Sequence, residues 1–337
     1  MTLAIKRVGK STNWKKRSPR DKAGPRWNGV KGIWNHVRCY LLNIIARIRL
    51  CLRINSQRRE MPIGSCCFAS GEFKVSCVAR PSNPDRKSFT VFDIWEKLGV
   101  TEHLGGIKAT RRLVDLCGVV PGQFVLDIGC GTGYTACLLA KERGANVVAA
   151  DISPKVLDWA KKRIAREGVG AAVKVTEANA EDLIFLDNSF DRVIAESVLI
   201  HCDPKKALPE LHRVLKPGGT LGTNETTFLN PPPSELMELL RGSSLGGKIG
   251  ALQGHEWLAA LKEAGFRETS STVSKLDLTG QFVDHLRVDG IRRYMSALVR
   301  GLLDPSMSGP FLNRRMIGAW REYPAYVGYG LYVGKKI

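Results

Sequence analysis

The sequence lacks any run of about 18 uncharged apolar residues, the length that a membrane-spanning helix needs. It also has no pattern typical of a cleavable signal peptide. Its nine cysteines are scattered, without a CxxC pair or the His-flanked spacing of a metal site. These absences argue against an integral membrane protein and against a metal site. They predict reduced thiols and a cytoplasmic location.

Acidic residues are scarce at one end of the chain. Residues 1–90 hold 4 Asp and Glu against 20 Lys and Arg, whereas residues 91–337 hold 28 against 31. The net charge of +19 is therefore concentrated in the first quarter and does not describe the whole molecule. We interpret residues 1–88 as a basic, poorly ordered extension and residues 89–337 as the main domain.

One stretch of the extension, Arg38–Ile54, has apolar residues at helical spacing, interrupted by arginines. A basic amphipathic helix of this kind can make weak contact with an anionic membrane surface or follow an RNA backbone. Alternatively, the extension is unstructured, or the start of the coding sequence is mispredicted and translation begins at the internal Met61. The sequence leaves these interpretations open.

After residue 88, the pattern alternates between helices and strands in the way that builds a parallel sheet. The predicted strands are Phe124–Ile128, Val147–Ala150, Val173–Glu177, Arg192–Ala195 and Thr220–Thr223. The predicted helices are Thr110–Cys117, Tyr134–Arg143, a helix capped by Ser153 and started by Pro154, and Lys205–Leu215. This order predicts a doubly wound, Rossmann-like α/β fold.

The most informative motif follows the first strand, where Asp127-Ile128 leads into Gly129-Cys130-Gly131-Thr132-Gly133 and then a helix. Glycines at such a turn let the backbone approach a ligand closely. The spacing is GxGxG, not GxGxxG, and Asp127 would repel a pyrophosphate. A carboxylate suits a cationic ligand, and S-adenosylmethionine carries both an ammonium and a sulfonium group. At the end of the second strand, Asp151 is where a carboxylate can accept hydrogen bonds from ribose hydroxyls.

Four motifs agree in order and spacing with one family. They are VLDIGCGTG at 125–133, Asp151, Asn179-Ala180-Glu181-Asp182, and LKPGG at 215–219. Residues 104–228 resemble the core of class I S-adenosylmethionine-dependent methyltransferases, in the small-molecule branch of ubiquinone/menaquinone and sterol methyltransferases, with a methyltransferase type 11 domain.

The resemblance implies a mostly parallel sheet of seven strands and a set of cofactor contacts. Gly129, Gly131 and Gly133 would line the methionine portion, with Cys130 in the same loop. Asp151 would hold the ribose, Ile152 would pack on the adenine, and Asn179-Ala180 would meet the adenine edge. Family members usually carry Asp where this chain has Asn179, and the amide oxygen can still accept from the adenine amino group.

On the acceptor side, ligands of parallel sheets lie beyond the carboxyl ends of the strands. This nominates Glu196, which we also assign to the cofactor site, together with Glu225 and His201. His201 is the preferred base, because imidazole titrates near neutrality, and either glutamate could orient an amine or hydroxyl acceptor. Alternatively, His201 merely caps the helix that Asp203-Pro204 begins, and Glu225 pairs with an arginine.

Beyond residue 228 we expect the domain to be completed by a helix, two strands and a lid. These are the helix Gly254–Ala264, strands near Thr272–Leu276 and Val327–Val333, and an inserted helical lid over 280–320. Six aromatic, His and Met residues of this region could equally well pack in the core or line the pocket. They are Phe282, His285, Tyr294, Met295, Trp320 and Tyr323.

The function that the sequence favours is methyl transfer from S-adenosylmethionine to a small-molecule acceptor, giving S-adenosylhomocysteine. One alternative is a nucleic-acid methyltransferase using the basic arm as a clamp. It is disfavoured, because Asn230-Pro231-Pro232-Pro233 follows the fifth strand instead of the fourth and lacks an aromatic residue. A non-catalytic S-adenosylmethionine-binding protein is a further alternative. The acceptor itself is not encoded in a readable motif.

Overall fold

A computed structural model of the chain describes residues 96–101, 103–241, 251–304 and 323–337. The expectations for residues 1–88, including the helix Arg38–Ile54, lie outside these ranges, as does Trp320. The boundary between the extension and the main domain stays a prediction. Among the described helices, none is long and apolar enough to cross a bilayer.

The described strands form one sheet in the order β3-β2-β1-β4-β5-β8-β7, and the short β6 pairs with β5. Only β8 runs antiparallel to its neighbours. The strands are β1 Phe124–Ile128, β2 Asn146–Asp151, β3 Val173–Glu177, β4 Phe190–Glu196, β5 Leu215–Phe228, β6 Leu252–Gln253, β7 Arg267–Lys275 and β8 Val327–Lys335. The expected mostly parallel sheet of seven strands is confirmed, with the two-residue β6 in addition.

Helices connect the strands on both faces of this sheet. They are α1 Gly106–Leu116, α2 Tyr134–Arg143, α3 Pro154–Glu167, α4 Pro204–Val214, α5 Ser234–Arg241, α6 Gly254–Glu263, α7 Leu278–Asp289 and α8 Ile291–Leu303. A 3₁₀ turn, Leu199–His201, precedes α4. The fold is therefore doubly wound, as the sequence predicts.

Local chemistry sets the limits of the central helices. The Ser153 hydroxyl accepts a hydrogen bond from the amide of Val156, and Pro154 stands at the first helical position of α3. Gly168, with φ of 70°, ends the same helix in the left-handed region. The predicted start of α3 is accurate because neighbouring residues fix it.

Two apolar layers cover the two faces of the sheet, because side chains alternate along each strand. In β1, Val125 packs beneath α1, α2 and α3, whereas Leu126 and Ile128 pack beneath α4 and α6. All three side chains are buried. This double cover leaves the carboxyl ends of β1, β2 and β4 at one edge of the sheet, where the site lies.

Several expected elements differ from the structure in their bounds; for example, the strand expected near Thr272–Leu276 is β7, Arg267–Lys275. Helix α1 begins at Gly106, earlier than Thr110. Residues 215–219 belong to β5 and do not merely close a helix, because Gly218 and Gly219 exchange backbone hydrogen bonds with Lys336. Of the expected lid, α7 and α8 cover 278–303, and the remainder lies outside the described ranges.

Candidate cofactor and acceptor site

A cavity of about 530 Å³ opens at the carboxyl ends of β1, β2 and β4. We call its two walls the cofactor side and the acceptor side. The cofactor side comprises Asp127, the loop residues Gly129–Thr132, Asp151, Ile152, Asn179 and Ala180. The acceptor side comprises His103, Thr135, Glu196, Ser197, Val198, His201 and Cys202. Nearly all sequence-predicted site residues thus meet in one cavity. The exceptions are Gly133 and Glu225, which do not line it.

The glycine loop has a backbone that most residues could not adopt or fit. Gly129 has φ of 67°, and a Cβ there would lie 2.3 Å from Cγ2 of Val198. Gly131 has φ of 54°, and a Cβ there would meet nothing within 4 Å, because the residue faces the cavity. At Gly133 a Cβ would instead lie 3.1 Å from Cβ of Ala160 in α3, so this glycine allows close packing against that helix. The loop therefore presents bare backbone to a ligand.

Asp127 is a buried carboxyl beside this loop, with 2% of its surface exposed. The amide of Ala136 donates to the carboxyl, but its Oδ2 atom has no hydrogen-bond partner among the described residues. Burial and the nearby charge of Glu196 raise the pKa of Asp127 well above its usual range. An orphaned buried acceptor next to a cavity is costly unless a ligand supplies a donor. A cationic ammonium would fit this requirement.

Asp151 ties the glycine loop to the end of β2. Its carboxylate accepts the amides of Gly131 and Ser153, each at 3.0 Å. Burial raises the pKa of Asp151, while these backbone hydrogen bonds oppose the shift. Ile152 stands on the cavity wall with 57% of its surface exposed, unusual for so large an apolar side chain. This pair offers a polar anchor and an apolar platform.

The remaining cofactor-side residues have local partners. Asn179 Oδ1 accepts the amide of Glu181 at 3.0 Å, so its acceptor capacity is partly used within its own turn. Ala180 is buried on the cavity wall. Burial and the charge of Asp127 raise the pKa of the Cys130 thiol well above its usual range, which keeps it protonated.

Glu196, at the end of β4, is surrounded by donors. Thr135 donates to Oε1 at 2.8 Å and Thr110 donates to Oε2 at 2.8 Å. Asn224 Nδ2 approaches Oε2 at 3.3 Å, and His103 Nδ1 approaches Oε1 at 3.3 Å. Burial would raise the pKa of Glu196, but His103 and the threonines outweigh it and lower the pKa. Glu196 is an ionised anchor whose lone pairs are occupied by these donors, which favours a positioning role; its catalytic and cofactor-binding roles stay predictions.

Glu225 does not line the cavity. Its carboxyl is fully buried beneath the 3₁₀ turn, where it accepts the amides of Val198, Leu199 and Ile200 at 3.1–3.3 Å and the Thr223 hydroxyl at 2.6 Å. Burial raises the pKa of Glu225 to about 7, against these hydrogen bonds. The expectation that Glu225 is catalytic, and the alternative that it pairs with an arginine, are both corrected. It supports the turn that carries the acceptor side.

His201 lines the cavity at the end of the 3₁₀ turn Leu199–His201. Burial lowers the pKa of His201 to about 4. It is therefore neutral near pH 7, and its affinity for a proton is weaker than that of an ordinary imidazole. The expectation of its location is met, but the reason for choosing it as a base, an ordinary imidazole pKa, does not hold.

Sequence reasoning missed His103 and the Arg163 network. Arg163 of α3 is 1% exposed; it pairs with Asp289 at the end of α7 and donates from Nε to the carbonyl of Thr132 at 2.9 Å. Thr101 contacts both Asp289 and Thr132. Its amide donates to Asp289 at 2.8 Å, and its hydroxyl lies 2.7 Å from the hydroxyl of Thr132. No local motif could have found these contacts, because each joins distant segments.

None of the expected lid residues in the described ranges lines the cavity. Met295 is buried, and Tyr294 packs on the cluster of Leu98, Val100 and Ala297. Tyr323 packs with the cluster around Phe228. His285 Nε2 accepts the amide of His103 at 3.4 Å, and the side chain of Phe282 is outside the described set. The core interpretation of these residues is therefore the better one.

Comparison with known proteins adds the following findings. Residues 126–222 match the family described as Methyltransferase domain. An uncharacterized methyltransferase, YodH, of Bacillus subtilis is 35% identical over 170 residues, which cover 50% of this chain and 70% of that protein. A ubiquinone/menaquinone biosynthesis C-methyltransferase, UbiE, of Hydrogenovibrio crunogenus is 39% identical over 125 residues, covering 36% of this chain and 49% of that protein.

A solved structure agrees at the level of fold. The structure of an S-adenosylmethionine-dependent methyltransferase from Thiobacillus denitrificans, in complex with S-adenosyl-L-homocysteine, superposes with a TM-score of 0.57 at 19% identity. The match covers 73% of this chain and 98% of that one.

Proposed function

Because the chain belongs to the class I S-adenosylmethionine-dependent methyltransferases and uses S-adenosylmethionine as its cofactor, we propose that it methylates a small-molecule acceptor by direct in-line displacement, giving S-adenosylhomocysteine. The cofactor supplies an electrophilic methyl group. The observation that carries the proposal is the cavity in which bare loop backbone and the orphaned Asp127 Oδ2 lie beside a second, polar wall.

On the cofactor side, Asp127 receives the ammonium of the methionine portion, and the backbone of Gly129, Cys130 and Gly131 lies along that portion. Gly133 holds the loop against α3. Asp151 has lone pairs left after accepting two amides, and these receive the ribose hydroxyls.

The adenine then lies against the exposed face of Ile152, with its edge toward Asn179 and Ala180. These assignments are supported by the shared cavity wall and by the unusual exposure of Ile152.

On the acceptor side, Ser197, Val198 and His201 lie where an acceptor can approach the methyl group. Holding that nucleophile in line and about 3 Å from the methyl carbon supplies most of the rate acceleration. His201, neutral near pH 7, contacts the acceptor as a hydrogen-bonding group. A location in the cytoplasm, weak membrane contact through residues 38–54 and a role for residues 1–88 stay predictions.

The first experiment is calorimetric binding of S-adenosylhomocysteine to the full chain and to its Asp151→Ala variant. Losing hydrogen bonds to a charged acceptor costs roughly 1.5–3 kcal/mol, so the variant should bind at least about tenfold more weakly. Lys161→Ala on the exposed face of α3 is the matched control and should bind as wild type. Equal affinity of Asp151→Ala and wild type would contradict the ribose assignment.

The second experiment separates an enzyme from a mere binding protein. The full chain is incubated with deuteromethyl-labelled S-adenosylmethionine and a metabolite extract, and labelled products are sought by mass spectrometry. A labelled small molecule that appears together with S-adenosylhomocysteine supports the proposal. Tight cofactor binding without turnover favours the non-catalytic alternative, and label in RNA would favour the nucleic-acid alternative.

A further inference from the structure

His103 lies on the acceptor side, and the site assignments above give it no role. It stands before α1, and its ring lines the cavity with 12% of its side chain exposed. Its Nδ1 atom lies 3.1 Å from the hydroxyl of Thr110 and 3.3 Å from Oε1 of Glu196. The ring is therefore held at one nitrogen by a buried carboxylate and a buried hydroxyl.

Counting donors and acceptors around Glu196 fixes where the proton of the ring resides. An ionised carboxylate only accepts, so the single hydroxyl proton of Thr110 points to Oε2 of Glu196 at 2.8 Å. The Thr110 oxygen can then only accept from His103. Both neighbours of Nδ1 are thus acceptors, and Nδ1 must carry the proton. In the neutral ring, Nε2 is left with a lone pair.

The surroundings of the ring favour the same arrangement. Its Nε2 atom has no hydrogen-bond partner in the described ranges. Three other titratable groups lie nearby. The ring of Tyr134 in α2 meets that of His103 edge-on at 5.3 Å, and Nε2 of His285 in α7 accepts the backbone amide of His103. Asp127 of β1 lines the same cavity. No Lys or Arg of the described chain lines the cavity. No lysine or arginine of the described residues therefore competes for the lone pair of Nε2.

We infer that Nε2 of His103 accepts the proton that the methyl acceptor loses, with Glu196 and Thr110 as positioning residues that hold the ring. The inference deepens the proposed function and rests on it. In the step, the bond between sulfur and methyl carbon breaks as the bond between methyl carbon and acceptor forms. The sulfonium becomes a thioether, and the acceptor proton moves to Nε2 and later to solvent.

This assignment narrows the class of acceptor. A base is useful only when the nucleophilic atom carries a proton that methylation makes acidic, as in a hydroxyl or a primary or secondary amine. Tertiary amines and thioethers need no base. The reacting atom of the acceptor therefore carries a hydrogen, as in an O–H, N–H, S–H or activated C–H group.

The first test does not depend on the acceptor. The tautomer of His103 is measured by nitrogen-15 NMR at neutral pH in the full chain bound to S-adenosylhomocysteine, with His103→Gln used to assign the signal. We expect the neutral ring to carry its proton on Nδ1. In Glu196→Gln, or in the more conservative Thr110→Val if that variant does not fold, this preference should weaken. A proton on Nε2 in the neutral wild-type ring would overturn the inference.

The second test measures the rate of labelled product formation from the metabolite extract across pH 6 to 9. His103→Gln should be slower by about 100-fold or more, and its rate should no longer fall at acidic pH. Its affinity for S-adenosylhomocysteine should stay within about threefold of wild type. His255→Gln, an exposed histidine on α6, is the matched control and should behave as wild type. A His103→Gln variant that retains the wild-type rate and profile would overturn the inference.

The two tests distinguish the failure of this inference from failure of the proposed function. If the wild-type chain binds S-adenosylhomocysteine but labels nothing in the extract, the methyl-transfer proposal fails. The inferred step then fails with it, whatever tautomer the NMR measurement records. If the chain labels a product without the help of His103, only the inference fails.

Discussion

The two walls of the cavity are built in different ways. The cofactor side consists largely of neighbouring residues along the chain, and its key property is backbone shape, as in the loop Gly129–Gly133. The acceptor side is held together by four side chains, from α1, α2, β5 and the segment before α1, that converge on Glu196. A wall made of backbone should be sensitive to added atoms, whereas a wall made of converging polar groups should be sensitive to lost partners.

The largest effect is expected where a lost partner leaves a buried charge. Asp289→Ala removes the carboxylate that pairs with Arg163, which is 1% exposed behind the glycine loop. The unfolding free energy in urea should fall by about 3–5 kcal/mol. Asp158→Ala, in an exposed pair with Lys161 on the same helix, should cost about 0–1 kcal/mol. Equal losses would show that side-chain networks here are no more sensitive than the surface.

The buried carboxyl of Glu225 should make stability depend on pH. Its pKa is raised from 4.5 to about 7 in the folded chain, so the folded state favours the protonated form. This contribution is fully present below pH 4.5 and is lost as the pH rises through about 7, in total up to ~3 kcal/mol. Urea unfolding between pH 4.5 and 8 should therefore show a steeper decline for wild type than for Glu225→Gln.

Glu263→Gln, which removes an exposed charge on α6, is the control for that comparison. Parallel curves for wild type and Glu225→Gln would contradict the raised pKa. They would mean that the four hydrogen bonds beneath the 3₁₀ turn hold Glu225 ionised in spite of its burial.

On the cofactor side, an added methyl group should be enough to damage the site. Gly129→Ala brings a Cβ to 2.3 Å from Val198, and overpacking of this kind costs about 1–3 kcal/mol of stability. Because the clash also displaces the loop that receives S-adenosylhomocysteine, affinity for it should fall roughly tenfold or more. Gly168→Ala has nearly the same φ, 70°, but meets nothing within 4 Å. It should lower stability by about 1–2 kcal/mol and leave affinity unchanged. Similar affinities for the two variants would remove the distinction between the walls.

The smallest effect concerns a single hydroxyl on the acceptor side. Thr110→Val keeps the shape of a fully buried side chain but removes the donor to Glu196 and the acceptor for His103. The remaining donors of Glu196 limit the loss, so unfolding should become easier by about 1 kcal/mol. Affinity for S-adenosylhomocysteine should not change. A large loss of affinity would mean that the two walls are coupled more tightly than their contacts suggest.

The residues expected on the cofactor side do meet in one cavity, except Gly133, because the signals that predicted them are local. Glycines with positive φ, an acid before the loop and an acid at the end of the next strand all lie within about 25 residues, and β1 and β2 are adjacent in the sheet. The succession of strands and helices along the chain and the cap of α3 followed from similar short-range rules. The limits of β5 were less accurate, because Gly218 and Gly219 pair with Lys336 from the far end of the chain.

The acceptor side was predicted only by position. Residue types indicated that Glu196, His201 and Glu225 lie near the ends of strands, but not which atoms they contact. In the structure, the side chain of Glu225 lies beneath the 3₁₀ turn, and His103, from the segment before α1, lines the cavity. No pattern in the sequence links these segments, because each contact is a tertiary one.

By itself, the sequence determined the doubly wound fold and the glycine-rich loop after β1, since hydrophobic periodicity, caps and backbone conformations act between residues close in the chain. Only the tertiary structure decided the protonation and the roles of the buried groups. Burial lowers the pKa of His201, four donors surround Glu196, and Asp289 of α7 neutralises Arg163 of α3. The charge of a buried group depends on what the fold brings within a few ångströms of it, whatever the distance along the chain.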